Sequence, residues 1–242
     1  MRNIIIFYLI VISTTPTIAA DTITPSTETV NINWSGGYLG AHAGYGWGRS
    51  HDINNLQADE QKPSGGFGGL QAGYNWQFDN NLVLGTEADI SFGSIKKNWG
   101  GANEYDPYYG SYKLGTNGTV RARIGYAINR LLPYITGGFA WGQTKYSLGC
   151  NSDRVGGNTI GGCTKVGAFE DRSQKTATGW TAGAGLEYAV NDNWSVKGEY
   201  LYKDFGETAI RLTDINYPTS DVNNRRFKTT FNEIRLGINY KF

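Results

Sequence analysis

Nine charged side chains stand at every second position of otherwise apolar stretches of this 242-residue chain: Glu87 and Asp89, Arg121 and Arg123, Glu187, Lys197 and Glu199, and Glu233 and Arg235. Five are acids and four are bases. Groups of both signs in that proportion can hold one another in ion pairs, or they can line a path for ions or protons. An unpaired ion removed from water costs several kcal/mol and pairing relieves that cost, so the near balance favours a structural network over a path. Cys150 and Cys163 share one polar stretch. In an exported chain they are expected to pair, and closing a loop of about 14 residues stabilises by roughly 3 kcal/mol in the chain-entropy account. Two thiols with no neighbouring His make a poor zinc site. The two histidines, His42 and His51, do not suggest catalysis: the only serine beside the His51-Asp52 pair is Ser50, which alternation puts on the opposite face. No enzyme and no metal site is expected. The glycine clusters at 65–69 and 156–162 are not phosphate loops, because no strand-to-helix context follows them.

The elements that must position the nine charges alternate with period two, the mark of half-buried strands. Eight such segments follow Gly36. Leu39, Ala41, Ala43, Tyr45 and Trp47 share one face of the first, with Gly40, His42, Gly44 and Gly46 behind. In the second, Leu70, Ala72, Tyr74, Trp76 and Phe78 oppose Gln71, Gly73 and Asn75. The third sets Leu82, Leu84, Ala88, Ile90 and Phe92 against Glu87 and Asp89. The fourth sets Leu114, Val120, Ala122, Ile124 and Tyr126 against Asn117, Thr119, Arg121 and Arg123. Ile135, Phe139 and Trp141 mark the fifth, and Trp180, Ala182, Ala184, Leu186 and Tyr188 the sixth, with Glu187 behind. Trp194, Val196, Tyr200 and Tyr202 oppose Lys197 and Glu199 in the seventh. The last sets Ile234, Leu236, Ile238, Tyr240 and Phe242 against Glu233, Arg235, Asn239 and Lys241.

Tight Asn/Asp turns at 79–81, 128–131 and 191–193 alternate with long polar stretches near 50–64, 95–110, 147–175 and 205–227. An even number of strands of about ten residues, with short turns at one end, long loops at the other and aromatics at strand ends, predicts an outer-membrane barrel. The predicted fold is an eight-stranded antiparallel transmembrane β-barrel with short periplasmic turns and four long extracellular loops. A soluble lipocalin-like barrel also alternates, but its aromatics would not gather at the strand ends. Eight strands leave an interior just wide enough for side chains to fill, so the charged set is expected to pack there.

Composition agrees. The 34 Gly and 33 aromatics disfavour helices, and the net charge of +1 leaves no basic field for nucleic acid. The mean hydropathy is −0.42, and the longest apolar run, Ile4 to Ile12, is half a membrane-crossing helix. Arg2, the apolar stretch Ile4 to Ser13 and the small residues Thr17, Ala19 and Ala20 read as a signal peptide over 1–20, cleaved before Asp21. Residues 21–33 read as a polar periplasmic tether, and 34–242 as the barrel domain.

The stretches GGFGGLQAGYNWQFDNNLVLGTEADI (65–90), GTVRARIGYAINRLLPYITGGFAWG (118–142), GWTAGAGLEYAVNDNWSVKGEYLYKDFG (179–206) and EIRLGINYKF (233–242) resemble the small outer-membrane proteins of alphaproteobacteria. That family includes hemin-binding surface proteins and major surface antigens, and its fold is similar to the transmembrane domain of OmpA. The resemblance implies an outer-membrane location, a surface-antigen role, possible contact with a host surface, hemin as a ligand of the loops, and a terminal Phe242 read by the barrel-assembly machinery. It covers nearly the whole mature chain except the loops. Hemin needs an axial ligand such as His or Tyr and flat apolar surface. His51, at the start of the first loop, and Tyr105, Tyr108, Tyr109, Tyr112 and Trp99 in the second are the candidates, although solvated loop packing explains them as well. Lys96, Lys97, Arg225 and Arg226 are placed to meet lipopolysaccharide phosphates, or are ordinary solvated charges. A small porin or diffusion channel is the alternative function.

Overall fold

The structure, a computed structural model, describes residues 32–53, 61–100, 108–150, 170–211 and 224–242. Among the described residues nine strands run in chain order: β1 (Gly36–Asp52), β2 (Ser64–Gln77), β3 (Leu82–Gly93), β4 (Ile95–Gly100), β5 (Tyr108–Tyr126), β6 (Leu131–Cys150), β7 (Glu170–Ala189), β8 (Trp194–Arg211) and β9 (Asn224–Lys241). All pairings are antiparallel between neighbours, and β1 pairs with both β2 and β9, which closes the sheet. β3 and β4 are one stave interrupted at Ser94, since β5 pairs along both, so the barrel has eight staves. Closure leaves no unpaired strand edge within the apolar belt, the condition for a sheet to stand in hydrocarbon; above the belt, residues 170–179 of β7 pair with β6 alone.

Alternation places the apolar set outside. Leu236 is 71% exposed and Ile135 64%, and Leu39, Leu70, Val120, Ile124, Phe139, Leu186 and Ile234 are exposed around the same wall. An apolar surface of that extent is a lipid-facing belt. Aromatics gather at its short-turn border, where Tyr74 packs on Trp76 with centroids 4.6 Å apart and Trp194 on Tyr240 at 5.0 Å. The turns there use Asn at positive φ, Asn81 (65°) and Asn129 (54°), a conformation Asn tolerates better than most residues.

Three expectations are corrected. The staves are longer than ten residues, and strand occupies the outer parts of all four stretches read as loops. Clear of lipid, a strand needs no apolar face, so its sequence looks like loop. Leu114 lies inside, fully buried, rather than on the lipid face. Between Leu114 and Asn117, β5 carries one residue more than β6, a bulge that exchanges inward and outward positions. Above it Tyr112 and Leu114 point in; below it Asn117, Thr119, Arg121 and Arg123 do. Ile32, read as tether, is buried with Trp34 against Val83, Ala127, Leu132 and Ala189, closing the short-turn end. Trp34 is fixed there by its backbone N–H, which donates to Gln77 Oε1 at 2.7 Å.

Candidate functional site: the barrel interior

The interior has three levels. At the short-turn end lies the apolar plug around Trp34 and Leu132. At the long-loop end lies a second, larger one of Phe67, Ile95, Tyr112, Leu114, Ala140, Tyr146, Ala177, Phe205 and Phe231, with Phe227 packed on it. The charged residues fill the space between.

All nine expected charges are buried there, and a tenth, Lys203, joins them at 0% exposure. Among the described residues the buried set holds five acids and five bases. Lys203 shares the parity of Lys197 and Glu199 on β8, so alternation alone could have found it. Glu87 is the hub. Its Oε1 accepts from Arg121 Nη2 at 2.5 Å, its Oε2 accepts from Tyr38 Oη at 2.7 Å, and Lys197 Nζ lies 2.7 Å from Oε2. Arg121 also donates through Nη1 to Glu199 at 2.8 Å. Arg123 donates to Glu187 Oε2 at 2.9 Å and to Asn75 Oδ1 at 2.8 Å, its guanidinium lying between the rings of Tyr38 (5.0 Å) and Tyr134 (5.2 Å). Glu187 accepts further from Ser195 Oγ at 2.6 Å and Asn239 Nδ2 at 2.8 Å.

A second group sits nearer the loops. Arg235 donates to Glu233 Oε2 through Nε at 2.9 Å and Nη2 at 2.7 Å, and its Nη1 lies 3.1 Å from Asp89. Thr119 donates to Asp89. Lys203 Nζ is 2.8 Å from both Glu233 Oε1 and Asn117 Oδ1. Between neighbouring strands Glu87 pairs with Arg121 and Glu233 with Lys203. Other bridges instead cross the interior: Glu199 lies opposite Arg235 in register, yet its ion pair is with Arg121 of β5. Glycines make room for this layer. A Cβ on Gly73 would stand 2.3 Å from Tyr38 Oη, the hydroxyl that donates to Glu87.

The remaining candidates do not converge. His42 is buried, its ring nitrogens bonded to Gln71 Oε1 (3.2 Å) and Ser91 Oγ (2.9 Å), a structural role. His51 is exposed on the outer wall opposite Lys228, while Ser50 turns inward toward Tyr146 and Thr229, so the two share no site. Tyr112 belongs to the upper plug and not to a loop. Tyr105 and the side chains of Trp99, Tyr108 and Tyr109 lie outside the described residues, as do Cys163, the Cys150 side chain and the signal and tether segments up to residue 31. Phe242 is 71% exposed, edge-on to Tyr240 at 5.4 Å, with its backbone N–H donating to Gly37 O at 3.0 Å.

A closed antiparallel barrel with a lipid-facing wall and an ion-paired interior defines an integral β-barrel protein of the outer membrane. The chain belongs to the outer membrane protein beta-barrel domain family, whose model matches residues 9–242. It is 36% identical over 259 residues to the 31 kDa outer-membrane immunogenic protein of Brucella melitensis, covering all of both chains. It is 30% identical over 212 residues to the 22 kDa outer membrane protein of Rhizobium leguminosarum, covering 87% of this chain and 79% of that one. Among solved structures it is similar to the outer membrane protein OprG of Pseudomonas aeruginosa, with a TM-score of 0.47 at 14% identity, covering 87% of this chain and 98% of that one.

Proposed function

We propose that this protein is a non-enzymatic structural barrel that anchors in the outer membrane and displays its four long connections at the cell surface, where they act as antigen and contact surface. The filled interior carries this reading: a layer of five acids and five bases, bridged across the lumen, lies between two apolar plugs. Ions bound by one another and by Tyr38, Asn75 and Asn239 are engaged within the wall rather than left to a permeating solute, which favours closure over the alternative of a small porin. The immunogenic naming of the Brucella relative supports surface display. Planar-bilayer recording of the full chain is expected to give no stable large conductance steps, and such steps would overturn the closed-barrel reading. Protease added to intact cells is expected to cut only within the four long connections.

Hemin is the ligand proposed for those connections. The support is the family resemblance and the exposure of His51 on the outer wall at the loop end. Soret titration of the full chain against His51→Ala tests it: an unchanged affinity and spectrum would remove His51 as the axial ligand.

A further inference from the structure

Above the lipid-facing belt, three lysines stand in one horizontal row on adjacent strands. Lys96 of β4 lies directly opposite Lys113 of β5, and Lys113 directly opposite Lys145 of β6. All three point outward. Lys113 is exposed between the fully buried Tyr112 and Leu114, Lys145 between buried Thr144 and Tyr146, and Lys96 follows buried Ile95. The bulge in β5 is what turns Lys113 out.

Like charges directly opposite on a sheet repel, and nothing of the opposite sign meets these among the described residues. Among the described side chains that share their face on these strands and their neighbours, Ser64, Asn98, Ser111, Gln143, Ser147 and Gln174, none is acidic. The other side of the barrel is different. There Lys228 lies opposite Glu207 in register, and Arg226 comes within 4.0 Å of Glu207, so bases are matched by an acid. The uncompensated row therefore calls for anions from outside the chain.

Its height identifies the source. Trp141, on the outward face of β6, is four residues below Lys145, which at the rise of a tilted strand is about 10 Å along the membrane normal. With the long connections outside the cell, the row faces sideways into the headgroup layer of the outer leaflet rather than upward to solvent. We propose that Lys96, Lys113 and Lys145 form a binding site for the phosphates of a phosphorylated glycolipid headgroup of the outer leaflet, of the lipid A class. Three ammonium groups within reach of one another can donate charge-assisted hydrogen bonds to phosphate oxygens. The site rests on the surface orientation proposed above but not on the closed lumen or on hemin. It replaces the grouping expected from sequence: of that grouping Lys96 belongs to the row, Arg226 is matched by Glu207, Lys97 falls on the alternate face opposite Tyr112, and the Arg225 side chain lies outside the described residues.

The test uses the full chain refolded in neutral detergent, with bound lipid counted by native mass spectrometry during titration with bisphosphorylated lipid A. The triple variant Lys96→Gln, Lys113→Gln, Lys145→Gln is expected to bind at least about tenfold more weakly, the size of losing even one of the three charge-assisted hydrogen bonds. The pair Arg226→Gln, Lys228→Gln is expected to bind as the parent does, and dephosphorylated lipid A to bind weakly to all. Equal retention by parent and triple variant would sink the site. So would equal binding of dephosphorylated lipid A, which assigns it to the acyl chains; inorganic phosphate binding as tightly as lipid A; or heparin binding where lipid A does not, which assigns the row to a sulfated glycan. If heat-modifiable migration shows the triple variant unfolded, Lys113→Gln, the middle of the row, is read by the same criteria. Bilayer conductance is unaffected by any of these results, so failure of the lipid site and failure of the closed-barrel reading are separate.

Discussion

Lys197 of β8 reaches across the barrel to Glu87 of β3, its Nζ 2.7 Å from one carboxylate oxygen and 2.8 Å from the other, although their strands are separated on either side by other staves. The contact makes opposite walls of the cylinder one electrostatic unit, with Arg121 and Tyr38 on the same carboxylate.

Glu87→Gln leaves Arg121 and Lys197 without their shared counter-ion, and removing one partner of a buried pair costs about 3–5 kcal/mol. Urea unfolding in lipid vesicles, followed by heat-modifiable migration, is expected to show that loss. Glu207→Gln, whose partner Arg226 is 63% exposed, is expected to change stability by less than about 1 kcal/mol. Equal effects of the two substitutions would mean that the interior ions are not coupled as their geometry indicates.

Lys203 and Glu233 form a fully buried bridge at 2.8 Å. Lys203→Met and Glu233→Leu are each expected to destabilise by about 3 kcal/mol, and the double variant by less than their sum, because Lys203 and Glu233 no longer leave each other unpaired while Arg235, which also bonds Glu233, keeps Asp89. A double-mutant cycle by equilibrium unfolding measures this, and simple additivity would count against it.

Gly73→Ala places a methyl 2.3 Å from Tyr38 Oη and 2.5 Å from Thr86 O, a backbone atom that cannot step aside. Overpacking of this kind costs about 1–3 kcal/mol, and tyrosine fluorescence should report the displaced Tyr38. At Gly198 the added methyl meets only Leu236 Cδ2 at 3.7 Å, and Gly198→Ala is expected to be tolerated.

Trp34→Ala removes the largest side chain of the short-turn plug and is expected to cost about 3–5 kcal/mol without opening a conductance, since the charged layer still fills the lumen. Large single-channel steps in this variant would identify the plug, rather than the ion network, as the seal.

The faces of the staves were legible because one rule, alternation, decides them wherever lipid lies outside and packed polar groups inside. Arg121 and Glu199 could be placed inside from parity alone, and Lys203 obeys the same parity. Which ions touch was not legible: Glu199 and Arg235 share a register position, yet curvature of the small cylinder carries Arg121 from another wall to Glu199. Leu114 defeated the rule because a bulge resets phase without a strong local signal beyond Gly115. Strand beyond the membrane, as at 224–230, has a single apolar residue, Phe227, to advertise it, and the burial of Ile32 and Trp34 depends on turns distant in the chain.

The bridges that cross the lumen also time the assembly of the protein. Lys197 and Glu87 belong to staves that come together only when β1 has met β9, and the same is true of Arg235 and Asp89. In an open sheet these groups remain in water and gain nothing from each other. Their mutual satisfaction arrives with ring closure, so partly inserted forms are not rewarded by it, and the last seam to zip is the one that locks the interior.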